Sequence, residues 1–188
     1  MTAKQASGII RNLRYDWPCH FVLRLTDWLP DNVLFLRLRG ALLRPFLGSC
    51  GSNLRIGRGL TLYNPSRIHF GRDVYVAYGG WFMAGAEIHV GDEALFGPYC
   101  VVVSSNHTRR SGSYRYGRPD KQPIRIGART WVAAHVTITA GSDIGDGALV
   151  AAGAVVRGGV APDMMVGGVP ARELGQVCDS AGCVNGIG

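Results

Sequence analysis

Residues 126–156, IGARTWVAAHVTITAGSDIGDGALVAAGAVV, repeat a large apolar residue every six positions. The series begins upstream and keeps one phase across a single interruption, at Val90, Phe96, Val102, Ile126, Val132, Ile138, Ile144, Val150 and Val156. A second series of smaller residues lies four positions after most of these, at Ala94, Cys100, Thr130, Val136, Ser142, Ala148, Ala154 and Val160. No α-helix has this period, because helical side chains return to one face about every 3.6 residues.

A six-residue period with one large and one smaller inward residue is typical of a triangular parallel β-helix. Three hexapeptides make one coil, and stacked coils bury a continuous core that a single coil cannot bury alone. An ordinary β-sandwich is the alternative, but it would alternate apolar and polar residues with a period of two. The sequence therefore predicts an all-β solenoid.

The same pattern recurs upstream in a different phase, at Ile56, Leu62, Ile68 and Val74. This change of phase predicts a corner of altered length near Gly79 and Gly80. The interruption of the main series, residues 108–123, reads TRRSGSYRYGRPDKQP, and the repeat resumes in register at Ile124. We expect an extruded loop here, and such excursions from a regular scaffold are more often functional than idle.

The stretch from Trp17 to Leu47 predicts two short helices with a break at residues 30–32. A membrane-spanning segment is excluded, because the break and several arginines leave no uninterrupted apolar run of about twenty residues. The arginines are Arg24, Arg37, Arg39 and Arg44. We interpret the helices as a cap over the first coil, which a solenoid needs for solubility. Contact with a membrane surface is the less favoured alternative, because it usually involves a denser basic face.

The net charge of +7 comes from 18 arginines scattered along the chain, since lysine occurs only at Lys4 and Lys121. This scatter argues against a nucleic-acid partner, which would need a clustered basic face. The cysteines match neither a zinc site nor a disulfide framework, although a Cys178–Cys183 bond stays open. Because the first residues also lack the features of a secretory signal, we expect a cytoplasmic location. The remaining cysteines are Cys19, Cys50 and Cys100.

The 126–156 stretch, preceded by GPYCVVVSSNH (97–107) and followed by VGGVPARE (166–173), resembles the hexapeptide-repeat acyltransferases, which include maltose and galactoside O-acetyltransferases. The resemblance covers residues 53–174. The amino-terminal half, with NPSRIHFGRDVYV (64–76), is more similar to the colanic-acid type that decorates bacterial polysaccharides. The resemblance implies a left-handed β-helix at 53–174 with loop 108–123, a helical cap region at 1–52 and a flexible tail at 175–188. It also implies a homotrimer with active sites between subunits.

His107 matches the general base of this family, at the end of the last strand before the loop. An uncharged imidazole can take the proton of an acceptor hydroxyl as its oxygen attacks the thioester of acetyl-coenzyme A. The resemblance implies that a backbone amide near Ala134 binds the oxyanion. We expect direct transfer with no metal, because no cysteine or serine beside His107 forms a nucleophile motif. The other histidines, His20, His69, His89 and His135, are expected in the cap or pointing outward.

The resemblance also implies a coenzyme site. Trp131 would shape the channel for the pantetheine arm, and backbone groups near Ala134 and Ala152 would hold its amides. Relatives commonly have Thr-Lys where this chain has Arg157-Gly158, so Arg157 and Arg172 are the expected phosphate contacts instead.

A saccharide acceptor is expected beside His107. Aromatic rings could stack on a sugar and arginines could bind an acidic group, with the alternative that the loop is simply solvated. The candidate acceptor residues are Asn106, Arg109, Arg110, Tyr114 and Tyr116, with Arg115 and Arg118 in the same loop. Gly79 stands where sugar acetyltransferases tend to have an asparagine that orients the acceptor, so the acceptor would differ.

Three other functions compete with O-acetyl transfer. Transfer to an amine of an amino sugar or antibiotic would use the same histidine. A γ-class carbonic anhydrase has the same fold but needs three histidines, and none follows His107 within twenty residues. A scaffold without catalysis would leave His107 and the arginine-rich loop unexplained.

Overall fold

The computed structural model describes residues 9–178 and contains three parallel β-sheets, which form the faces of a triangular prism. Face A consists of β1 Ser49–Cys50, β4 Ile68–Phe70, β7 Ile88–Val90, β12 Ile124–Ile126, β15 Asp143–Ile144 and β18 Gly159–Val160. Face B consists of β2 Arg55–Ile56, β5 Tyr75–Val76, β8 Leu95–Phe96, β13 Trp131–Val132, β16 Leu149–Val150, β19 Met164–Gly167 and β20 Arg172–Gln176. Face C consists of β3 Thr61–Tyr63, β6 Trp81–Met83, β9 Val101–Val103, β14 Thr137–Thr139 and β17 Val155–Val156. Since successive strands lie on successive faces, the chain winds as a parallel β-helix of about six turns, which confirms the predicted fold class.

The inward positions predicted from the hexapeptide period are confirmed by burial. The large residues from Val90 to Val156 are each no more than 5% exposed, and the smaller series from Ala94 to Val160 is no more than 9% exposed. Strand register explains the period: Val132 lies between Phe96 and Val150 in adjacent coils, so equivalent residues stack along the axis. Each coil hydrogen-bonds to the next, and the stacked inward residues form one continuous apolar core.

The predicted corner change near Gly79 and Gly80 is wrong. Ile56 pairs with Val76, and Val76 continues to Phe82 six residues later without any change of length. Extra residues lie instead at the edge before face A, at residues 64–67 and 84–87, so the early coils repeat every twenty residues. Ile68 and Phe70 both point inward from one strand, which made the upstream period appear unbroken in the sequence.

Two helices cover the first coil, as the sequence predicts. Helix α1 (Trp17–Thr26) follows a π-helical turn at Asn12–Asp16, and helix α2 (Val33–Leu43) begins after the break at residues 30–32. The Asn32 side chain caps α2 by accepting a 3.0 Å hydrogen bond from the backbone N–H of Phe35. Within residues 9–178, no helix is long and apolar enough to cross a membrane.

Helix α2 approaches the solenoid very closely. A Cβ atom built on Gly40 would stand 1.9 Å from the carbonyl oxygen of Leu54, so this position requires glycine. Cys19, Leu23 and Leu43 join the same apolar cluster as the first coils. The inner faces of the two helices therefore extend the solenoid core.

Arg39 on α2 is 1% exposed, although the sequence groups it with three exposed arginines. Its guanidinium donates to the carbonyl oxygens of Thr26, Leu29 and Ile56 and forms a 2.7 Å ion pair with Asp31. Asp31 also accepts from the backbone N–H of Arg58. This network joins both helices and the break between them to the first coil.

The loop and the carboxyl end complete the chain. Strands β10 (Ser105–Asn106) and β11 (Asp120–Lys121) pair antiparallel at the base of the loop, and the repeat resumes at Ile124 as predicted. Strand β20 folds back antiparallel on β19 and extends to Gln176. This strand includes Gly175 and Gln176, the first two residues of the predicted tail, which pair with Met165 and Met164. Residues 179–188 of the tail, and with them the Cys178–Cys183 question, lie outside the described residues.

Candidate active site

Most of the predicted site residues lie on or beside two edges of the prism. Each edge is named after the two faces that it joins. Edge CA carries the loop and, in later coils, residues 140–141 and 157–158. Edge BC carries residues 78–79, 98–99, 134–135 and 152–153. Each edge is a column of corners that runs parallel to the axis.

His107 lies on edge CA, immediately after β10, and its side chain is exposed. Hydrogen bonds hold the backbone on both sides of the loop in place. Ser104 is fully buried. Its hydroxyl oxygen accepts a 3.0 Å hydrogen bond from the backbone N–H of Ala86 and donates a 2.8 Å hydrogen bond to the carbonyl oxygen of Ala86. The N–H of Gln122, at the other end of the loop, donates to the carbonyl of Ser104 at 3.2 Å. Both ends of the loop are thus fixed where His107 projects.

A cleft of about 800 Å³ runs along edge CA from the loop base to the last coil. It is lined by Asn106, Asp120, Gln122, Thr139, Ala140, Gly141, Arg157, Gly158, Pro170 and Arg172. The fold therefore brings three predicted residues together: Asn106 beside the base, and the two exposed cations Arg157 and Arg172. An anionic group in this cleft would meet two guanidinium groups.

The corner at Arg157-Gly158 is a tight turn. Gly158 has φ +95°, where glycine is strongly preferred. Ile144 pairs with Val160 only sixteen residues later, whereas Ile126 pairs with Ile144 eighteen residues later. The coil is therefore shortened at Arg157-Gly158, and Gly158 occupies the turn.

The remaining residues that were predicted to bind the coenzyme lie elsewhere, on face B and edge BC. Trp131 points outward from face B and is 46% exposed, and Ala134 and Ala152 follow on edge BC. One chain does not bring these residues into the cleft that Arg157 and Arg172 line.

The loop side chains project into solvent. Tyr114 and Tyr116 are 61% and 70% exposed, and Arg109 and Arg110 are also exposed. The loop itself is braced by the Thr108 hydroxyl, which donates to the carbonyl of Arg118 at 2.6 Å. These four residues follow His107 closely along the chain, but none of them lines the cleft.

Comparison with known proteins identifies the repeat. Residues 123–158 match the model of the bacterial transferase hexapeptide (six repeats). The chain is 26% identical to the galactoside O-acetyltransferase of Escherichia coli K12, over 75% of this chain and 70% of that protein. It is also 26% identical to a putative lipopolysaccharide biosynthesis O-acetyl transferase, WbbJ, of the same strain, over 83% of this chain and 88% of the relative.

A solved structure is similar along nearly the whole chain. A hexapeptide-repeat acetyltransferase from Vibrio cholerae, complexed with acetyl-coenzyme A, covers 93% of this chain and 92% of its own, with a TM-score of 0.79 and 27% identity. The chain thus carries the bacterial transferase hexapeptide repeat and is similar to hexapeptide-repeat acetyltransferases along most of its length. The resemblance drawn from the sequence is confirmed.

Tyr99 and His135 were not predicted from the sequence as functional residues. They occupy equivalent corners of adjacent coils on edge BC, and their rings stack at 5.1 Å with planes 15° apart. Both have left-handed backbone, φ 59° and 58°, where neighbouring coils have Gly79 and Gly153. A bulky residue at such an angle is uncommon and often marks a functional site. The signal in the sequence was a ring at a corner that the repeat otherwise fills with glycine.

The same corner explains the absence of asparagine at position 79 of this acyltransferase. A Cβ atom on Gly79 would lie 2.7 Å from Cδ1 of the Tyr99 ring. Tyr99 therefore fills the space that a side chain at position 79 would use. Tyr78 packs edge-on against Tyr99 at 5.4 Å, which extends the aromatic surface along edge BC.

Cys19, Cys50 and Cys100 are unsuited to nucleophilic catalysis. Burial raises the pKa of the Cys100 thiol to about 11 and that of Cys19 to about 12, with Asp16 adding to the second. Burial also raises the pKa of Cys50. A thiolate is the reactive form, so these groups stay protonated and unreactive near neutral pH.

Ligand-type side chains also cluster on face A. His69, Glu87 and His89 place their ligand atoms within 4.8 Å of one another, with His69 Nε2 2.8 Å from Glu87 Oε2. Among the described residues, these three side chains form the group whose spacing would allow them to hold a cation. His107 does not belong to this group. A carbonic-anhydrase centre built around His107 would need such partners there.

Proposed function

We propose that this chain transfers the acetyl group of acetyl-coenzyme A to a hydroxyl of a sugar or polysaccharide precursor, with His107 as the general base. The proposal rests on the position of His107 directly after Asn106, which lines a cleft that also contains Arg157 and Arg172. The acetyl-coenzyme A complex of the Vibrio cholerae relative supports the choice of donor. The two O-acetyltransferase relatives support a hydroxyl acceptor.

The reaction follows from general acid–base chemistry. His107 takes the hydroxyl proton while the oxygen attacks the thioester carbonyl carbon, and a new C–O bond forms. A backbone N–H near Ala134 stabilises the oxyanion of the tetrahedral intermediate. When the C–S bond breaks, the imidazolium returns its proton to the departing sulfur. The protein is left unchanged, and no acyl-enzyme is required.

We further propose a homotrimer with the site between subunits. His107 and Arg157 lie on edge CA and Arg172 lines the same cleft, whereas Trp131 lies on face B and Ala134 and Ala152 follow it on edge BC. A threefold assembly that sets edge CA of one copy against edge BC of the next would join the two sets. Face B favours such an interface, because Leu95 and Trp131 are outward neighbours and are 42% and 46% exposed.

This arrangement also suggests the acceptor surface. The Tyr99–His135 stack of one copy would face the loop of another, with Asn106, Tyr114 and Tyr116 opposite. Sugar rings bind to aromatic faces through their C–H groups, and Arg109 and Arg110 would suit an acidic substituent. Since acetyl-coenzyme A is an intracellular metabolite, we place the reaction in the cytoplasm.

A coenzyme-release assay over matched hydroxyl and amine acceptors tests the proposed function directly. We expect thiol release with sugars or sugar-containing precursors that carry a free hydroxyl, and none when that hydroxyl is methylated. Release that depends on an amine instead would make the chain an N-acyltransferase. Stoichiometric zinc with carbon dioxide hydration would overturn the transferase assignment.

Trp131→Ala is expected to weaken coenzyme A binding about tenfold, which corresponds to the loss of about 1.4 kcal/mol of contact with an exposed aromatic ring. Isothermal titration calorimetry measures this change. Trp81→Ala is the matched control, because Trp81 is a similarly exposed tryptophan on face C. Unaltered affinity in the Trp131 variant would contradict its assigned role.

Cys100→Ala is expected to retain acetyl transfer within about twofold of the original rate. Ala154 fills the equivalent inward position two coils later, so alanine fits the corner and costs about 1 kcal/mol or less of stability. Steady-state kinetics measures the retained rate. Iodoacetamide labelling at pH 8 is expected to be slow at Cys100 of the original chain. Loss of transfer by two orders of magnitude would indicate a covalent cysteine intermediate instead.

A further inference from the structure

The outer surface of the amino-terminal helices is unusually apolar. Among the described residues, eleven of the 22 large hydrophobic side chains that are exposed lie between Ile9 and Leu42. The remaining eleven are spread over the solenoid, its loop and its carboxyl end. A concentration of this kind marks a surface that contacts another phase or molecule.

These side chains form continuous stripes. Along α1 and its flanks, the stripe consists of Ile10, Leu13, Trp17, Phe21, Leu25 and Trp28, at helical spacing on one side. Trp17 and Phe21 are each 67% exposed and Trp28 is 77% exposed. On α2, the stripe continues with Leu34, Leu38 and Leu42. Because Cys19, Leu23 and Leu43 pack inward, each helix has one apolar side on the solenoid and another on the outside.

Charge is segregated between the same two sides. The carboxylates of Asp16, Asp27 and Asp31 point inward and accept hydrogen bonds from the backbone N–H groups of Asn64, Gly59 and Arg58. The exposed cations beside the stripes are Arg14, Arg24, Arg37 and Arg44. The Arg24 side chain is 82% exposed, with a 3.8 Å contact to Asp27. The outer surface therefore combines apolar rings with exposed positive charge.

We propose that this outer surface of α1 and α2 lies on an anionic phospholipid bilayer and holds the prism at the membrane. Tryptophan and phenylalanine enter the boundary between headgroups and acyl chains, while arginines bind the phosphates. The helices remain a cap on their inner side, so capping and membrane contact use different sides of one unit. A loop-bearing solenoid held in this way would meet acceptors that are carried on lipid.

A second copy of the chain is a poorer occupant. A symmetric contact between two such surfaces would bring Arg24 and Arg37 of one copy towards those of the other, and like charges repel. An anionic lipid surface complements both the rings and the cations. The stripes also lie outside faces A, B and C, so membrane contact leaves the edges free for the proposed trimer.

Vesicle flotation of the full chain tests the proposal. We expect the protein to float with vesicles of phosphatidylcholine and phosphatidylglycerol in a 7:3 ratio, and at least tenfold less with phosphatidylcholine alone. Phe21→Ser/Trp28→Ser should lower binding to the anionic vesicles at least tenfold, because both side chains are exposed and their removal does not disturb packing. Arg24→Glu/Arg37→Glu should remove the preference for anionic lipid, as should 0.5 M salt.

The control variant Tyr116→Ser/Leu174→Ser removes two side chains that are 70% and 59% exposed elsewhere, and should float like the original chain. Sedimentation of the same proteins distinguishes the rival occupant. If the original chain stays unbound and Phe21→Ser/Trp28→Ser lowers the mass of the assembly, the surface joins copies of the chain and the proposal is wrong. Equal flotation of the original chain and this variant would overturn it as well.

Discussion

His107→Ala is expected to lower acetyl transfer by two or more orders of magnitude while the protein stays folded and assembled. Loss of a general base typically costs a factor of about 10² to 10⁴, since the attacking hydroxyl must then lose its proton to water. The imidazole is exposed and bonds no other group among the described residues, so its removal leaves no buried partner unsatisfied. Steady-state kinetics, calorimetry with coenzyme A and sedimentation together measure the effect.

The expected pattern is a fall in kcat with unchanged coenzyme affinity and unchanged mass. His107→Gln should be nearly as slow, because an amide keeps much of the size but cannot accept the proton as imidazole does. His89→Ala is the matched control, being an exposed histidine on face A, and should keep the original rate. A His107→Ala enzyme that works at close to normal speed would refute the base assignment.

The second large effect concerns the fold. Arg39→Met is expected to lower the free energy of unfolding by about 3 to 5 kcal/mol, as is usual when one partner of a buried ion pair is removed. The substitution leaves three carbonyl oxygens and the Asp31 carboxylate without the guanidinium that they contact. Urea unfolding followed by far-ultraviolet circular dichroism measures the change.

Arg37→Met, two residues earlier on α2, provides the comparison. Arg37 is exposed, and its replacement should change stability by about 0.5 kcal/mol or less. If both variants unfolded at the same urea concentration, the buried network would not hold the helices to the solenoid. The pair of measurements therefore separates the effect of burial from the effect of losing one positive charge.

The two edges give the proposed active site its dependence on assembly. His107 and Arg157 are on edge CA with Arg172 in the same cleft, and Trp131 is on face B beside edge BC, so a separated chain would keep the two sets apart. Activity that falls on dilution together with the mass of three 20.2-kDa chains would be the corresponding signature. The acceptor would then bind at a seam, between the loop of one copy and the Tyr99–His135 stack of another.

The sequence alone determined the solenoid, its inward residues from Val90 to Val156 and the loop that follows His107. These features could be predicted because a coil bonds only to its neighbours, so each inward position recurs at a fixed interval along the chain. The helical cap was also predictable, since apolar spacing and the break at residues 30–32 are local signals. The resemblance to hexapeptide-repeat acyltransferases followed from motifs that keep their order in the sequence.

Contacts between distant segments set which arginine is buried, where the early coils gain length and what fills the corner beside Gly79. Arg37 and Arg39 stand two residues apart in similar sequence, and their difference comes from the carbonyl groups that α2 meets across space. The inward pair Ile68 and Phe70 likewise depends on how one strand is placed over the core. Such features arise from contacts between distant segments, and a repeat in the sequence records only what neighbouring coils share.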